Sequence, residues 1–152
     1  MAKPKKTALM TAVDILARRE TCEAKLIEKL KIKGFDSEEI EGAVAKLKEM
    51  NYLNDKAAAR RQFEYLYEES KSSVREIVLK LMRRGFTKED IDLCLPEDRE
   101  ARENRELSAA LKSLKIKYKQ SADPAKMKAH LYRHGFSVSV CAQAVNDFLG
   151  EE

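Results

Sequence analysis

The sequence predicts an all-α protein, and its composition and an internal repeat are the observations that predict it. Only five of the 152 residues are glycine and three are proline, whereas 37% are charged, a composition that favours helices over strands and tight turns. One helix-ending pattern recurs three times at an interval of about fifty residues, as in tandem-repeat proteins. We therefore expect an elongated, curved array of three tandem three-helix, helix-turn-helix-like repeats with about nine helices.

The repeat is marked by a glycine and a phenylalanine that follow an apolar segment with basic residues in its last turn. A glycine there supplies the left-handed conformation that ends a helix, and the cations favour the negative end of the helix dipole. An N-cap residue comes next in each copy, so a further helix begins at once. The three copies are Gly34-Phe35-Asp36, Gly85-Phe86-Thr87 and Gly135-Phe136-Ser137.

The helix that ends at each glycine begins about twelve residues earlier, at Cys22, Ser73 and Asp123. Asp123 is followed by a proline, which is typical of the first position of a helix. Another apolar-periodic helix precedes each of these. In the third repeat its apolar positions run from Leu107 to Tyr118, and Glu97, Asp98 and Glu100 are favourably placed at its N-terminus. The predicted organisation is a flexible N-terminus at 1–7 and three-helix repeats at 8–51, 52–95 and 96–152.

The sequence indicates no catalytic, cofactor or metal site. It contains no glycine-rich phosphate loop, no Gly-x-Ser-x-Gly elbow and no His-Glu-x-x-His helix. His130 and His134 share a helix face, but the neighbouring turns offer neither a carboxylate nor a thiol to complete a metal site. We expect these histidines to favour the dipole at their helix end. The chain is therefore predicted to be a binding protein that is not an enzyme and carries no cofactor.

The cysteines and the hydropathy pattern predict the cellular compartment of the protein. Cys22, Cys94 and Cys141 are odd in number and far apart, which argues against a disulfide framework and fits a reducing cytoplasm. No apolar run approaches the roughly 18 residues that a membrane span needs, and the first residues do not resemble a signal peptide. We expect a cytoplasmic protein without a membrane contact.

Basic side chains recur at the end of the middle helix of each repeat. The net charge of +4 does not by itself indicate a nucleic-acid binder, so their placement matters more. If the repeats stack regularly, these side chains form a row along one edge that could neutralise phosphates or meet an acidic protein groove. The alternative is that they only complement helix dipoles. They are Lys31, Lys33, Arg83, Arg84 and Arg133, with His134 beside the last.

Two further basic groups are candidate nucleic-acid contacts. Lys112, Lys115, Lys117 and Lys119 lie in a stretch without an acidic residue and with Tyr118 among them. A basic helix face that includes an aromatic residue is compatible with nucleic-acid binding. The pattern is equally compatible with a charged face that is only solvated. Arg60 and Arg61 precede several aromatics, but neighbouring glutamates dilute their charge.

Several segments together resemble the RecX family over nearly the whole chain. They are the repeated Leu-x-x-x-Gly-Phe units, the run Ser73-Val74-Arg75-Glu76-Ile77-Val78-Leu79-Lys80-Leu81, the segment Asn51-Tyr52-Leu53-Asn54-Asp55, and Ala17-Arg18-Arg19-Glu20. The resemblance implies a monomeric regulator that lies in the groove of the RecA–DNA filament. It implies inhibition of strand exchange and of the filament's ATP hydrolysis, with single-stranded DNA bound weakly or through the filament.

The sequence departs from the family pattern in places. Glu68-Glu69-Ser70-Lys71-Ser72 stands where the family often has a basic, glycine-containing stretch, and the third repeat is the least typical. Cys22 replaces the usual serine cap, which Thr21 is expected to offset in part, and Cys141 replaces an aliphatic residue.

Two other functions compete with the RecA regulator. One is a helical DNA-binding module that acts independently of RecA through a helix in the major groove. The third helices, Glu38–Met50 and Ser139–Leu149, are acidic or apolar, which argues against the reading of base edges. The other is a protein–protein adaptor without a nucleic-acid contact.

Overall fold

The computed structural model describes residues 6–120 and 122–150, and within these it contains nine α-helices and no strand. The all-α class and the helix number predicted from the sequence are confirmed. The helices are α1 Ala8–Arg18, α2 Glu23–Ile32, α3 Ser37–Glu49, α4 Asp55–Glu69, α5 Val74–Arg83, α6 Lys88–Asp92, α7 Arg99–Lys117, α8 Pro124–Arg133 and α9 Val138–Gly150.

The contacts within the chain divide it into two compact units. One comprises the described residues up to Arg61 together with Leu81–Asp92, and the other comprises Gln62–Lys80 with the described residues from Leu93 onward. Helices α4 and α5 contribute to both units. The three repeat boundaries and the curved, elongated array stay predictions. Of the predicted flexible terminus, residues 1–5 lie outside the described residues, whereas Thr7 caps α1 and accepts the Met10 N–H at 3.1 Å.

The predicted helix-turn-helix connections are confirmed at all three glycines. Gly34, Gly85 and Gly135 have φ of +94°, +99° and +90°, a backbone conformation that glycine adopts at little cost. The following phenylalanine N–H closes the turn in each copy by donating to the carbonyl of a leucine five residues back, at 3.2 to 3.3 Å. The residue after each phenylalanine then caps the next helix by accepting a backbone N–H.

The repeat is visible in the buried positions as well as in the turns. When the copies are aligned on their glycines, the same sites of the second and third helices are buried in each. The first helices match at an offset of 51 residues throughout, one more than the 50 between Gly85 and Gly135, so one pattern of apolar contacts is used three times. Burial of one leucine-sized side chain stabilises the folded state by roughly 1.5–3 kcal/mol. The matched sites are Ala8, Ala59 and Ala110; Ala12, Phe63 and Leu114; Leu26, Ile77 and Met127; Leu30, Leu81 and Leu131; and Ile40, Ile91 and Cys141.

The middle repeat departs from this pattern in its third helix. Helix α6 has five residues, whereas α3 and α9 have thirteen each. Pro96 explains the difference, because a proline disfavours helical geometry at the preceding residue and cannot donate a helix hydrogen bond. The chain restarts at Asp98, whose carboxylate caps α7 through the Ala101 N–H at 3.2 Å. Helix α7 therefore begins at Arg99, where the acidic residues Glu97, Asp98 and Glu100 indicated a helix N-terminus, and it contains the apolar positions from Leu107 onward.

Two hydrogen bonds are repeated between consecutive copies of the motif. The Cys22 thiol donates to the Arg84 carbonyl at 3.0 Å, and the Ser73 hydroxyl, at the matched position, donates to the His134 carbonyl at 2.6 Å. Each acceptor belongs to the residue before a turn glycine. We call the first contact, within one unit, the Cys22 junction, and the second, within the other unit, the Ser73 junction.

A carboxylate completes each junction by accepting the first backbone N–H of the adjacent helix. Asp55 accepts the Glu23 N–H at 3.0 and 3.3 Å, and Glu106 accepts the Val74 N–H at 3.0 Å. The expected contribution of Thr21 was wrong, because its hydroxyl donates to the Arg19 carbonyl and leaves the cap to Asp55. Burial raises the pKa of Asp55 above its usual value, even though the Glu23 N–H favours the charged form.

Candidate nucleic-acid and partner interface

The basic side chains predicted as binding residues all reach the surface. Ten are exposed, and Arg84 is half-buried. Exposure alone is compatible with either binding or simple solvation, so the neighbours of each group decide what it can contact. The residues are Lys31, Lys33, Arg60, Arg61, Arg83, Arg84, Lys112, Lys115, Lys117, Lys119 and Arg133.

Lys33 lines an open cleft of about 770 Å³ beside α1, together with Arg18. Two acidic residues share this cleft, but both are engaged. Asp14 pairs with the Lys6 ammonium at 2.6 Å, which lowers the pKa of the Asp14 carboxyl, and Glu39 accepts the backbone N–H at the start of α1. Lys33 and Arg18 are therefore the cations of this cleft that are placed to meet an incoming anion.

Lys31 borders a groove of about 470 Å³ between α2 and α3. Ile27 and Val44 contribute apolar surface, and the opposite rim carries an ion pair in which the Lys48 ammonium lies 2.5 Å from Glu23. The hydrogen bond to Glu23 raises the pKa of Lys48 above its usual value. This groove is amphipathic, so it resembles a protein-binding surface more than a phosphate site.

Arg83, Arg84 and Arg133 lie at the ends of α5 and α8, next to the turn glycines. The Arg84 carbonyl belongs to the Cys22 junction, and the residue after Arg133, His134, places its Nδ1 2.9 Å from Glu76. These positions are thus partly committed to contacts inside the molecule. The predicted row of basic side chains along one edge stays a prediction.

Arg61 forms an ion pair with Glu20, across the Cys22 junction. An anion that contacted Arg61 would have to compete with this carboxylate. Arg61 and Glu20 also line a cleft of about 200 Å³ with Asn54 and Asp55, so acidic groups surround the guanidinium. Arg61 is consequently a weaker candidate than its exposure suggests.

The second half of α7 and the residues after it are basic, since four lysines and no acidic residue lie between Leu107 and Ala122. Lys112 and Lys115 are three residues apart and share one exposed face of α7, and Lys119 follows just beyond the helix end. Lys117 is exposed as well, with its ammonium 6.0 Å from the centre of the Tyr118 ring. The lysines near the end of α7 also favour its dipole.

Lys112 lines a cleft of about 240 Å³ with Tyr67, Glu68, Ser70 and Arg105. Arg105 was missed by the sequence analysis. Its guanidinium donates to carbonyl oxygens of residues 66, 67, 70 and 72 at 2.6 to 3.3 Å, pairs with Glu106 at 2.8 Å, and lies 4.8 Å from the Tyr67 ring centre. No local pattern signals this role, because the acceptors are backbone groups more than thirty residues away in sequence.

His130 is buried and neutral, which corrects the expectation that it complements the helix dipole as a cation. Its Nε2 lies 3.2 Å from the Ser113 hydroxyl, and its ring contacts those of Tyr118 and His134. Burial, followed by the nearby positive charges, lowers the pKa of His130 to about 4. Among the described residues, no group of three histidine, cysteine or carboxylate side chains is placed to hold a metal ion.

The comparisons with known proteins identify the family. The family model "RecX, first three-helix domain" matches residues 8–47. "Regulatory protein RecX" of Caldanaerobacter subterraneus subsp. tengcongensis is 32% identical over 93% of this chain and 70% of its own length. The protein of the same name from Chlorobaculum tepidum is 33% identical over 97% of this chain and 92% of its own. The chain belongs to the RecX family.

Solved RecX structures agree with the fold of this RecX-family chain. The crystal structure of RecX from Lactobacillus salivarius superposes with a TM-score of 0.76, covering 93% of this chain and 94% of that one, at 17% identity. A crystal structure of regulatory protein RecX gives 0.75 over 92% and 71% of the two chains, at 23% identity. No disulfide bond joins Cys22, Cys94 and Cys141 in the described structure. No helix within the described ranges is long and apolar enough to cross a bilayer.

Proposed function

We propose that this RecX-family chain is a regulator that binds the RecA–DNA filament and inhibits strand exchange and ATP hydrolysis, without catalytic activity of its own. The observation that carries the proposal is the similarity to "Regulatory protein RecX" of Chlorobaculum tepidum over nearly the full length of both chains. The exposed basic side chains support it, because a nucleoprotein filament presents both phosphates and protein grooves.

The proposed binding mode is occupation of the filament groove by a monomer in the cytoplasm. Lys33 with Arg18 in one unit, and Lys112 with Lys119 in the other, are exposed cations that form no ion pair with any described residue. Single-stranded DNA is the proposed second partner, bound weakly or through the filament. Such contacts to phosphates fix position without reading sequence.

A module that reads base edges independently of RecA is less well supported. Helix α3 occupies the place of a recognition helix, but Glu38, Glu41 and Glu49 are exposed on it. Carboxylates at a groove surface repel phosphates, and the residues that read guanine and adenine are mainly Arg, Asn and Gln. The outer surface of α3 is therefore unsuited to a major groove.

The test is the ATP hydrolysis rate of the cognate RecA on single-stranded DNA, with and without substoichiometric amounts of the full chain. We expect a dose-dependent loss of ATPase that weakens as salt rises, because phosphate contacts release counterions. An unchanged ATPase rate, with RecA still saturating the DNA, would overturn the regulator proposal. It would favour the alternative of a protein–protein adaptor without a nucleic-acid contact.

Charge-reversal variants sharpen this test. Lys31→Glu combined with Lys33→Glu is expected to weaken inhibition severalfold. The matched control is Lys56→Glu combined with Lys88→Glu, which changes the net charge equally at exposed positions in the first turns of α4 and α6, where an acid favours the helix. Equal loss of inhibition in the two double variants would mean that net charge, not the Lys31 and Lys33 surface, is responsible.

A further inference from the structure

The first helices of the three repeats share their buried residues but differ in chemistry on one exposed face. Alignment on the buried alanines Ala8, Ala59 and Ala110 matches three exposed positions in each copy. These positions are apolar in the first repeat, mainly acidic in the second and entirely basic in the third. They are Met10, Val13 and Ala17; Arg61, Glu64 and Glu68; and Lys112, Lys115 and, just beyond the end of α7, Lys119.

We propose that the α7 lysine stripe, defined as Lys112, Lys115 and Lys119, is the site where this protein binds the phosphodiester backbone of nucleic acid, and that the matched faces of α1 and α4 are not. The inference rests on the proposed function, because it names the surface through which the regulator meets DNA. It also narrows the eleven sequence candidates to one face.

The positive charges of the stripe are not neutralised by ion pairs at two of its positions. Neither Lys112 nor Lys119 forms an ion pair anywhere in the part of the chain that the structure describes. The matched Arg61 is paired with Glu20. Glu68 lines the same cleft as Lys112 but does not pair with it, so an anion can approach Lys112 without breaking an ion pair, whereas at Arg61 it would have to displace Glu20.

Lysines occupy both positions at the Ser73 junction that correspond to the Glu20–Arg61 ion pair. The position that corresponds to Glu20 in the next repeat is Lys71, and the position that corresponds to Arg61 is Lys112. Ser70, next to Lys71, lines the same cleft as Lys112. Where the Cys22 junction carries an acid and a base, the matched positions at the Ser73 junction are therefore both lysine, which makes this surface more favourable to an anion.

Lys112 and Lys115 are spaced to contact neighbouring phosphates. Side chains three residues apart on a helix have Cβ atoms about 5–6 Å apart, so the two ammonium groups can reach adjacent phosphates of one strand. Ile116 is 62% exposed beside them and offers apolar contact to a base or sugar. Because lysine is a compact point charge without a planar fork, binding is expected to be independent of base sequence.

The test measures binding of a fluorescein-labelled oligothymidylate to the full chain by anisotropy, without RecA, over a series of salt concentrations. Lys112→Glu combined with Lys119→Glu is expected to lower the affinity at low salt by about tenfold or more. Each phosphate contact on single-stranded DNA contributes about 0.7 to the slope of log K against log salt, so loss of two contacts should reduce the slope by about 1.4.

Two matched variants separate the stripe from net charge. The Lys56→Glu and Lys88→Glu control carries the same net charge, and we expect it to lose less than about threefold in affinity at the same salt. Glu64→Lys combined with Glu68→Lys gives α4 the chemistry of the stripe and should tighten binding. Far-ultraviolet circular dichroism confirms that the variants remain helical.

Three results would overturn the inference: no DNA binding by the wild-type chain at low salt, equal losses in the stripe variant and the control, or displacement of the DNA by poly-glutamate at equal charge concentration. The last would mean that the stripe binds an acidic protein. The RecA ATPase test stays independent, since a stripe variant that has lost DNA binding but still inhibits RecA would leave the regulator proposal intact.

Discussion

The two junctions have the same architecture and different chemistry. At the Cys22 junction a thiol donates to the Arg84 carbonyl, and Glu20 pairs with Arg61 nearby. At the Ser73 junction the same contact is made by a hydroxyl, which is a stronger donor than a thiol and lies 2.6 Å from its acceptor. The comparison shows that repeat stacking depends on a small donor beside a glycine, while the surrounding charges are free to vary.

The largest expected effect comes from filling the space at the junction glycines. A Cβ at Gly135 would lie 2.7 Å from the Ser73 hydroxyl oxygen, and one at Gly85 would lie 2.5 Å from the Cys22 sulfur. Alanine at either site should destabilise the protein by about 2–5 kcal/mol, the sum of about 1–2 for the positive φ and about 1–3 for overpacking. Urea unfolding measures this loss.

Gly34 provides the control for this prediction. Its φ is also positive, but apart from its own neighbours in the chain no described atom lies within 4 Å of a Cβ built there. Gly34→Ala should therefore cost about 1–2 kcal/mol, the backbone contribution alone. If the three alanine variants lost equal stability, the close approach at the junctions would have no energetic role.

The second prediction concerns His130, a buried group near the Ser73 junction without a histidine counterpart at the Cys22 junction. Its pKa is about 4 in the folded state and near 6.5 when unfolded, so the unfolded chain binds the extra proton first. The stabilising effect of neutral His130 is complete above pH 6.5 and is lost as the pH falls towards 4. We expect a loss of about 1–3 kcal/mol over that range.

Because carboxylates titrate in the same range, this prediction is measured as a difference. Urea midpoints of the wild type and of His130→Gln are compared from pH 7 to pH 4. The wild type should lose more stability than the variant over that interval. Parallel pH profiles would show that another group accounts for the acid sensitivity.

Ser73→Ala is the third prediction and removes the donor that defines the Ser73 junction. The buried hydroxyl donates to the His134 carbonyl and accepts the Glu76 N–H at 3.1 Å, so alanine leaves both backbone groups without that partner. The expected cost is about 1–2 kcal/mol of unfolding free energy. Ser72→Ala, one residue earlier, is the control, and a similar loss there would contradict the assignment.

The sequence predicted the elements and missed the contacts between them. The turns were predictable because a positive φ at the end of a helix favours glycine, and glycine occupies that position in all three copies, at Gly34, Gly85 and Gly135. The repeated buried positions follow from helical periodicity in the same way. The first turns of α7, from Arg99, are charged and carry no apolar pattern, so its start was indicated only by the acidic residues that favour a helix N-terminus.

For the candidate site, the sequence predicted which basic residues cluster but not which of them are paired with acids. The sequence shows which lysines lie together, but ion pairs such as Arg61 with Glu20 join residues 41 apart and depend on the packing of two helices. The same holds for Arg105, whose partners are backbone carbonyls. Once the repeat offset is known, however, the replacement of Glu20 by Lys71 can be read from the sequence by itself.

The smallest expected effect tests whether the two junctions are interchangeable. Cys22 makes no side-chain capping hydrogen bond to α2 within the described chain, whereas Ser73 caps α5. Cys22→Ser should supply both a stronger donor to the Arg84 carbonyl and an N-cap, with a gain of about 0.5–1 kcal/mol in urea unfolding. Cys22→Ala, which lacks any donor, should instead lose stability. A serine variant no more stable than alanine would mean that the sulfur contributes by packing against Gly85, so that the Cys22 junction depends on contact and the Ser73 junction on hydrogen bonding.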